Sequence, residues 1–421
     1  MQPVLLHLRW FVQPTSVAWV YGACAVAALT FSFVVWRRRG RDFQRLLPWV
    51  IAAVVLGALA VVRRGQALPA TELVVTSSGA SLVLAAVSAW ILTLGLVQRS
   101  GGSIARASSA FFVASLAGLL SARWMYLLAN PKAVVHWASW LSVRGGGLLG
   151  YPGLLVGLAV GAWWMARAPE QRAGSVAARQ WLDAAAPAAA LGAAVVRVGC
   201  YLFGCDYGRA LPEDSGALLS SLGTFPHWQT QTLDGWGAPA WVAQVNGGLL
   251  SDTSRESLPV HPTELYEAVL GVLLFGLLVW VRPRCKRPGQ VFGVFVLGYA
   301  WLRFSCDLLR GDGERGLLGP ALEGRLLLGL GWIVWGLLAG FAAAQLVRDA
   351  RWRASLRVAL LLPGLSMLVV RVGRHPWDAL TISLTQWLAL LSSAACAVGS
   401  QWLERQPNSN KERPGDVVEP S

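Results

Sequence analysis

Apolar runs of helix length recur along this chain of 421 residues, and three of them carry one arginine in their interior. The runs lie at 16–36, 47–63, 78–97, 109–128, 148–166, 183–203, 263–281, 289–309, 326–347, 355–371 and 379–398. About 20 such residues cross a bilayer as a helix, and lipid permits only helices and closed barrels to span it. The expected class is therefore an all-α polytopic membrane protein, in keeping with 55% hydrophobic and 14% charged residues. Arg123, Arg197 and Arg303 sit inside the runs. A charge at mid-bilayer costs about 2.5–3.5 kcal/mol by insertion scales. Arginines in separate spans therefore ask for a shared anionic partner, either acidic side chains or a ligand.

The formal net charge of +14 would suggest nucleic acid in a soluble protein. No basic stripe with interleaved aromatics accompanies it, which argues against a nucleic-acid partner. The charge reads as topology instead. Lys and Arg cluster in alternate loops, at 37–45, 282–287 and 348–357 for example. The positive-inside rule then places the N-terminus outside and the C-terminal tail in the cytoplasm. The long polar loop 204–262 is expected to form a small extracytoplasmic cap, and the tail after Trp402 reads as disordered. The start of the chain does not read as a cleavable signal peptide, because its first apolar run is too long. The six cysteines form neither a disulfide framework nor a metal-site pattern. Cys200 and Cys205 alone are close, either as a bridge or as two packing residues.

In this orientation several special residues share one depth. Arg123, Arg197 and Arg303 lie about one and a half turns before the outer ends of their helices, ~8–9 Å below the surface. Ser78, Tyr151, His261 and Glu264 lie where inward-running helices begin. A polar pocket near the outer headgroups is the expectation. Tyr299, Arg303 and Asp307 recur every fourth residue, so they stack on one helix face with Arg310 nearby. Either Asp307 simply neutralises Arg303, or it orients that guanidinium toward an anion, which arginine can grip bidentately. RVGCYLFGCDYGR places Gly199, Gly204 and Gly208 beside Arg197, for close backbone approach or for helix packing. HPTELYE puts His261, Glu264 and Glu267 on the first turns of a span. GGGLLGYPG (145–153) is a glycine-rich helix entry without phosphate-loop spacing.

Taken in order, these segments resemble the prolipoprotein diacylglyceryl transferase family over roughly residues 70–347. SARWMY resembles its Gly-Gly/Ala-Arg-x-x-Tyr segment. GGLLGYPG resembles Gly-Gly-x-x-x-His-Gly-Gly, with Tyr151 at the His and Pro152 at the following Gly. RVGCYLFGCDYGR is similar to Arg-x-Gly-Asn-Phe-x-x-Gly-Glu-x-x-Gly, with Cys200 at the Asn and Cys205 at the Glu. HPTELYE resembles His-Pro-Ser/Thr-Gln-Leu-Tyr-Glu, and Tyr299, Arg303 and Asp307 resemble Tyr-x-x-x-Arg-x-x-x-Glu. A Tyr-Gly of the family's first span stands here as Ser78-Gly79. QWLALL (386–391) resembles the last-helix motif, leaving open whether 326–347 or 379–398 is the last core helix.

The resemblance implies about seven core transmembrane helices at 67–347. An extra N-terminal hairpin (1–66), extra C-terminal spans (348–400) and a disordered tail (401–421) flank them. It implies a bacterial inner-membrane enzyme that moves the diacylglyceryl group of phosphatidylglycerol onto the lipobox cysteine of a prolipoprotein. A thioether forms and glycerol phosphate leaves. Arg303, Tyr151, Tyr299 and Asp307 would be catalytic. Arg197, Arg123, Gly199, Gly204, Gly208, His261, Glu264 and Glu267 would bind substrate. No metal or organic cofactor is implied. The reaction needs a thiolate, and free Cys has a pKa of about 8.5, so a base is wanted. Tyr151, with an ordinary pKa of about 10, is a poor one. It is expected to position substrate while Glu264, Glu267 or Asp307 takes the proton, or while the thiolate forms beforehand. The divergence also admits a degenerate paralogue that binds phospholipid or precursor without turnover.

Overall fold

The computed structural model describes residues 4–9, 25–26, 53–55, 57, 72–134, 137–140, 147–167, 174–227, 237–312, 317–343, 350–369 and 379–405. The runs expected at 16–36 and 47–63, and the tail after 405, lie almost wholly outside them.

A short strand β1 (Val4–Arg9) pairs antiparallel with β2 (Glu72–Thr76). The helices α1 (Ser77–Arg99), α2 (Ile104–Ala129), α3 (Gly150–Ala166) and α4 (Gly174–Phe203) follow. The segment after α4 carries the short helices α5 (Ala217–Leu222) and α6 (Pro239–Asn246). Then come α7 (Thr263–Val281) and α8 (Gln290–Leu309). The chain ends with β3 (Leu317–Glu323), α9 (Gly324–Ala343), α10 (Ala350–Val369), β4 (Ala379–Ser383) and α11 (Leu384–Arg405). Helices α1, α2, α4, α7 and α8 are long and apolar enough to cross a membrane; α3 and parts of α9 and α11 are shorter apolar helices. This is an all-α polytopic membrane protein, with small two-stranded pairings as its β content.

The helix boundaries have local causes. Thr76 caps α1 by accepting from the Gly79 amide at 3.1 Å, and Ser103 caps α2. The apolar run at 379–398 divides, because 379–383 pairs with β3 and the helix begins only at Leu384.

Small residues let the bundle close. Helix α4 is central, packing on α1, α3, α7 and α8. Its Ala184, Ala186 and Ala190 are fully buried. Between α2 and α3, a Cβ added at Gly157 would stand 2.8 Å from the Ala114 carbonyl, so the two backbones nearly touch. In lipid, where apolar side chains gain little by meeting each other, such close approach is what holds helices together. Helix α11 runs along α8: Gln386 Nε2 donates to the Phe304 carbonyl at 3.2 Å, and the Cys396 thiol faces the Gly293 carbonyl at 3.6 Å. Helices α9 and α10 form a hairpin, with Trp332 Nε1 donating to the Leu360 carbonyl.

One backbone junction ties three helix ends together. Residues 207–211 leave α4 and run between 259–261, which lead into α7, and 309–311, which leave α8. The Gly208 amide donates to the His261 carbonyl at 2.9 Å, Arg209 to Leu309 at 2.8 Å, His261 to Arg209 at 2.8 Å, and Gly311 to Tyr207 at 3.0 Å. Beside this junction, the described residues 204–227 and 237–262 gather on a small core of Phe203, Phe225, Ala238, Trp241 and Val260. Gln244 bonds both the amide and the carbonyl of Leu258.

Candidate active site

The junction aims the polar ends of α4, α7 and α8 at one another. Arg197 lies in the last two turns of α4, Arg303 in those of α8, and Glu267 in the second turn of α7. Glu267 is shared. Its Oε2 is 2.7 Å from Arg197 Nε, and Arg303 Nη1 approaches its two oxygens at 2.5 and 2.6 Å. Arg303 Nη2 stands 3.6 Å from Asp307 Oδ1, one turn further along α8. Arg197 Nη1 also pairs with Asp206, whose other oxygen pairs with Arg310. Arg310 closes on Asp312 through Nε at 2.8 Å and Nη2 at 2.6 Å. Charges of alternating sign thus run from Asp307 to Asp312 across the top of the bundle. Glu267, Arg303 and Asp307 are each no more than 5% exposed. Burying such charges is tolerable only when each is paired and hydrogen-bonded.

The partner that the intramembrane arginines require is therefore acidic side chains, and two of the three arginines share it. Arg123 sits at a comparable place on α2, but its guanidinium holds the α2–α3 connection. Nε donates to the Ser139 carbonyl at 3.0 Å and Nη1 to the Gly147 carbonyl at 3.1 Å.

Asp206 and Arg310 carry the network outward, and Asp206 was not singled out by sequence reasoning. It follows Cys205, so no motif position marks it. Its backbone explains its reach. Gly204, at φ +79°, ends α4 with the Cys205 amide bonded to the Cys200 carbonyl at 3.1 Å. Asp206 then adopts φ +65°, unusual for a residue with a Cβ. Its carbonyl is held by Thr263 Oγ1 at 2.7 Å. Burial alone would raise the Asp206 carboxyl, but Arg310, Arg197 and Arg303 outweigh it and hold it well below the usual carboxylate range.

Glu264 is 1% exposed, and neither of its carboxylate oxygens has a hydrogen-bond partner among the described residues. His261 reaches Tyr266 OH through Nδ1 at 3.3 Å, and burial lowers its pKa below the ordinary imidazole value. Gly199 is a packing residue in this structure: a Cβ there would meet Ser81 and the Ser77 carbonyl of α1. Gly208 similarly presses on His261. Cys200 and Cys205 are free thiols.

Tyr151 lies one layer deeper. It is 3% exposed, and its hydroxyl hydrogen-bonds Ser392 of α11 at 2.6 Å. Its ring stacks on Tyr299 at 5.7 Å, and Tyr299 stacks on Phe295 at 5.4 Å. Ser392 was not visible to sequence reasoning, since nothing local links it to a residue 241 positions away. Tyr151→Phe should leave transfer within about tenfold of wild type, because the stack survives and one neutral hydrogen bond is worth only ~0.5–1.5 kcal/mol. A hundredfold loss in a transfer assay would instead make the hydroxyl part of the chemistry.

Much of this chain is similar to known proteins. The chain spans 80% of the phosphatidylglycerol–prolipoprotein diacylglyceryl transferase of Clostridium tetani at 22% identity over 239 residues, 56% of its own length. It spans 73% of the protein of that name from Paraburkholderia phymatum at 32% identity over 247 residues, 54% of its length. For the Polaromonas naphthalenivorans protein the figures are 53% and 28% over 190 residues, 44% of this chain. The model of prolipoprotein diacylglyceryl transferases matches residues 66–345, two thirds of the sequence and all of the arginine-bearing helices described above. On that match, this chain belongs to the prolipoprotein diacylglyceryl transferase family.

Proposed function

We propose that the protein transfers the diacylglyceryl group of phosphatidylglycerol to the lipobox cysteine thiol of a prolipoprotein, forming a thioether and releasing glycerol phosphate. The observation that carries this reading is the meeting of Arg197 and Arg303, from separate helices, on Glu267. Arg197 spends Nε on Glu267 and Nη1 on Asp206, and its Nη2 carries no bond to another described residue. A guanidinium has five N–H donors, so one edge is left for the departing phosphate. The ion pairs hold that edge in place, and preorganised cations stabilise charge as it develops on a leaving group. Glu264, buried and without a hydrogen-bond partner, is suited to receive the thiol proton. Asp307 and Tyr299 support Arg303 and the floor beneath it.

The same reading places the protein in the bacterial cytoplasmic membrane, with its N-terminus and the 204–262 cap outside and its tail inside. Phosphatidylglycerol and the signal-peptide region of the precursor are its partners. Residues 67–347 form the transferase core, flanked by additional spans. The Tyr151–Ser392 bond favours a second reading, a relative that binds phospholipid or precursor without turnover, because the position of the family's histidine is engaged structurally. Expression in cells depleted of their own transferase separates the two. Growth is expected with wild type and not with Arg303→Ala at equal abundance. Equal growth of both, or of neither, would remove the catalytic reading.

A further inference from the structure

Cys200 Sγ, Cys205 Sγ and a carboxylate oxygen of Asp206 all lie within 4.8 Å of one another. The turn at Gly204 brings them together: it folds Cys205 back over the last turn of α4, with its thiol 3.8 Å from the Cys200 carbonyl. The cysteines alone form no metal-site pattern in the sequence; it is the turn that sets two thiols, with four residues between them, beside a carboxylate. A Zn–S bond of about 2.3 Å puts two sulfurs on a tetrahedral ion about 3.8 Å apart. Each Asp206 oxygen accepts from one arginine, and a carboxylate oxygen has a second lone pair to offer.

Among the ion pairs at this end of the bundle, four carboxylates (Asp206, Glu267, Asp307 and Asp312) face three arginines (Arg197, Arg303 and Arg310). The Glu264 carboxylate, buried and without a hydrogen-bond partner, acts electrostatically on Cys205 and Asp206. Cys205 and Asp206 are only half-buried, which leaves a path for an ion.

We propose that Cys200, Cys205 and Asp206 bind Zn²⁺ with a fourth position open, and that the incoming substrate thiol occupies it. The inference rests on the transferase reading above and adds to Glu264, as proton acceptor, a cation that favours the thiolate in place of the family's histidine. A thiol that coordinates zinc is deprotonated outright. Its sulfur then attacks the glyceryl carbon. The S–C bond forms as the C–O bond to phosphate breaks, and the electron pair leaves with the phosphate oxygen. The thiol proton passes to Glu264 and from it to the departing glycerol phosphate, so charge and atoms balance with no further reactant.

The test uses the full chain purified in detergent with a phosphine reductant, dialysed against Zn²⁺ and separately against Co²⁺. About one Zn²⁺ per chain is expected, and the Co²⁺ form should show thiolate-to-cobalt charge-transfer absorption. Cys200→Ser and Cys205→Ser should each lose that absorption, while Cys285→Ser, far from the site, keeps it. Monodispersity of each variant controls for folding. Chelation should abolish transfer, and Zn²⁺ should restore it. Zn²⁺ retention by wild type no greater than by the Cys200→Ser/Cys205→Ser double variant would overturn the site. Transfer that survives complete removal of zinc would overturn the zinc role and leave the transferase reading standing. Zinc bound through both cysteines in a protein with no transfer activity would support the site and sink the transferase reading.

Discussion

Glu267→Ala is expected to cost about 3–5 kcal/mol of stability, the usual penalty for stripping one partner from a buried ion pair. Arg197 and Arg303 would then face each other across a position that had held both of their charges. Asp206 and Asp307 remain, but the first engages Arg197 from outside and the second lies 3.6 Å from Arg303. The midpoint of thermal unfolding in detergent should fall sharply. Glu267→Gln, which keeps hydrogen-bonding capacity without charge, should lose less. Combining Glu267→Leu with Arg303→Met should recover part of the stability, since a buried pair replaced by apolar groups of similar volume is often neutral or better. Transfer should not return with it. An alanine variant as stable as wild type would mean that Glu267 does not neutralise the two guanidiniums.

Arg303→Lys separates charge from geometry. Arg303 reaches both oxygens of Glu267 through Nη1 while its Nη2 faces Asp307. Lysine keeps the positive charge as a single compact point and cannot span two carboxylates in a fixed plane. The protein should accumulate normally, because the span still holds a cation beside Glu267. Transfer should fall on the order of 10²-fold, the scale seen when one preorganised donor is lost from an electrostatic site. The loss should appear in kcat rather than KM, since Glu267, and through it the Arg197 edge that meets the developing charge on the leaving phosphate, is no longer held in a fixed plane. Full activity in the lysine variant would reduce Arg303 to a counter-charge for Glu267.

Much of the fold is legible in hydropathy, because a helix in lipid satisfies its own backbone and needs only a long apolar run. The run at 263–281 coincides with α7, and that at 289–309 differs from α8 by one residue. Legibility fails where backbone groups pair between distant segments, as at 379–383, whose partner strand is β3. Part of the site is legible for the same local reason: Tyr299, Arg303 and Asp307 share a face because helical geometry puts them there. Asp206 was hidden because its role depends on a left-handed turn that re-aims the chain by one residue past the signature position. Ser392 was hidden because it belongs to a helix separated from Tyr151 by most of the core.

By itself the sequence determined that the chain is a bundle of membrane helices with arginines held about one and a half turns from one end of their helices. Hydrophobic run length and helical rise are local quantities, so no partner is needed to read them. Only the tertiary structure decided which charges meet. Glu267 serves Arg197 and Arg303 together, Arg123 turns to loop carbonyls, and Asp206 rather than Cys205 answers Arg197. Pairing among side chains depends on how helices cross and rotate against each other, and that is set by the small-residue contacts of α4 and by the backbone junction above it.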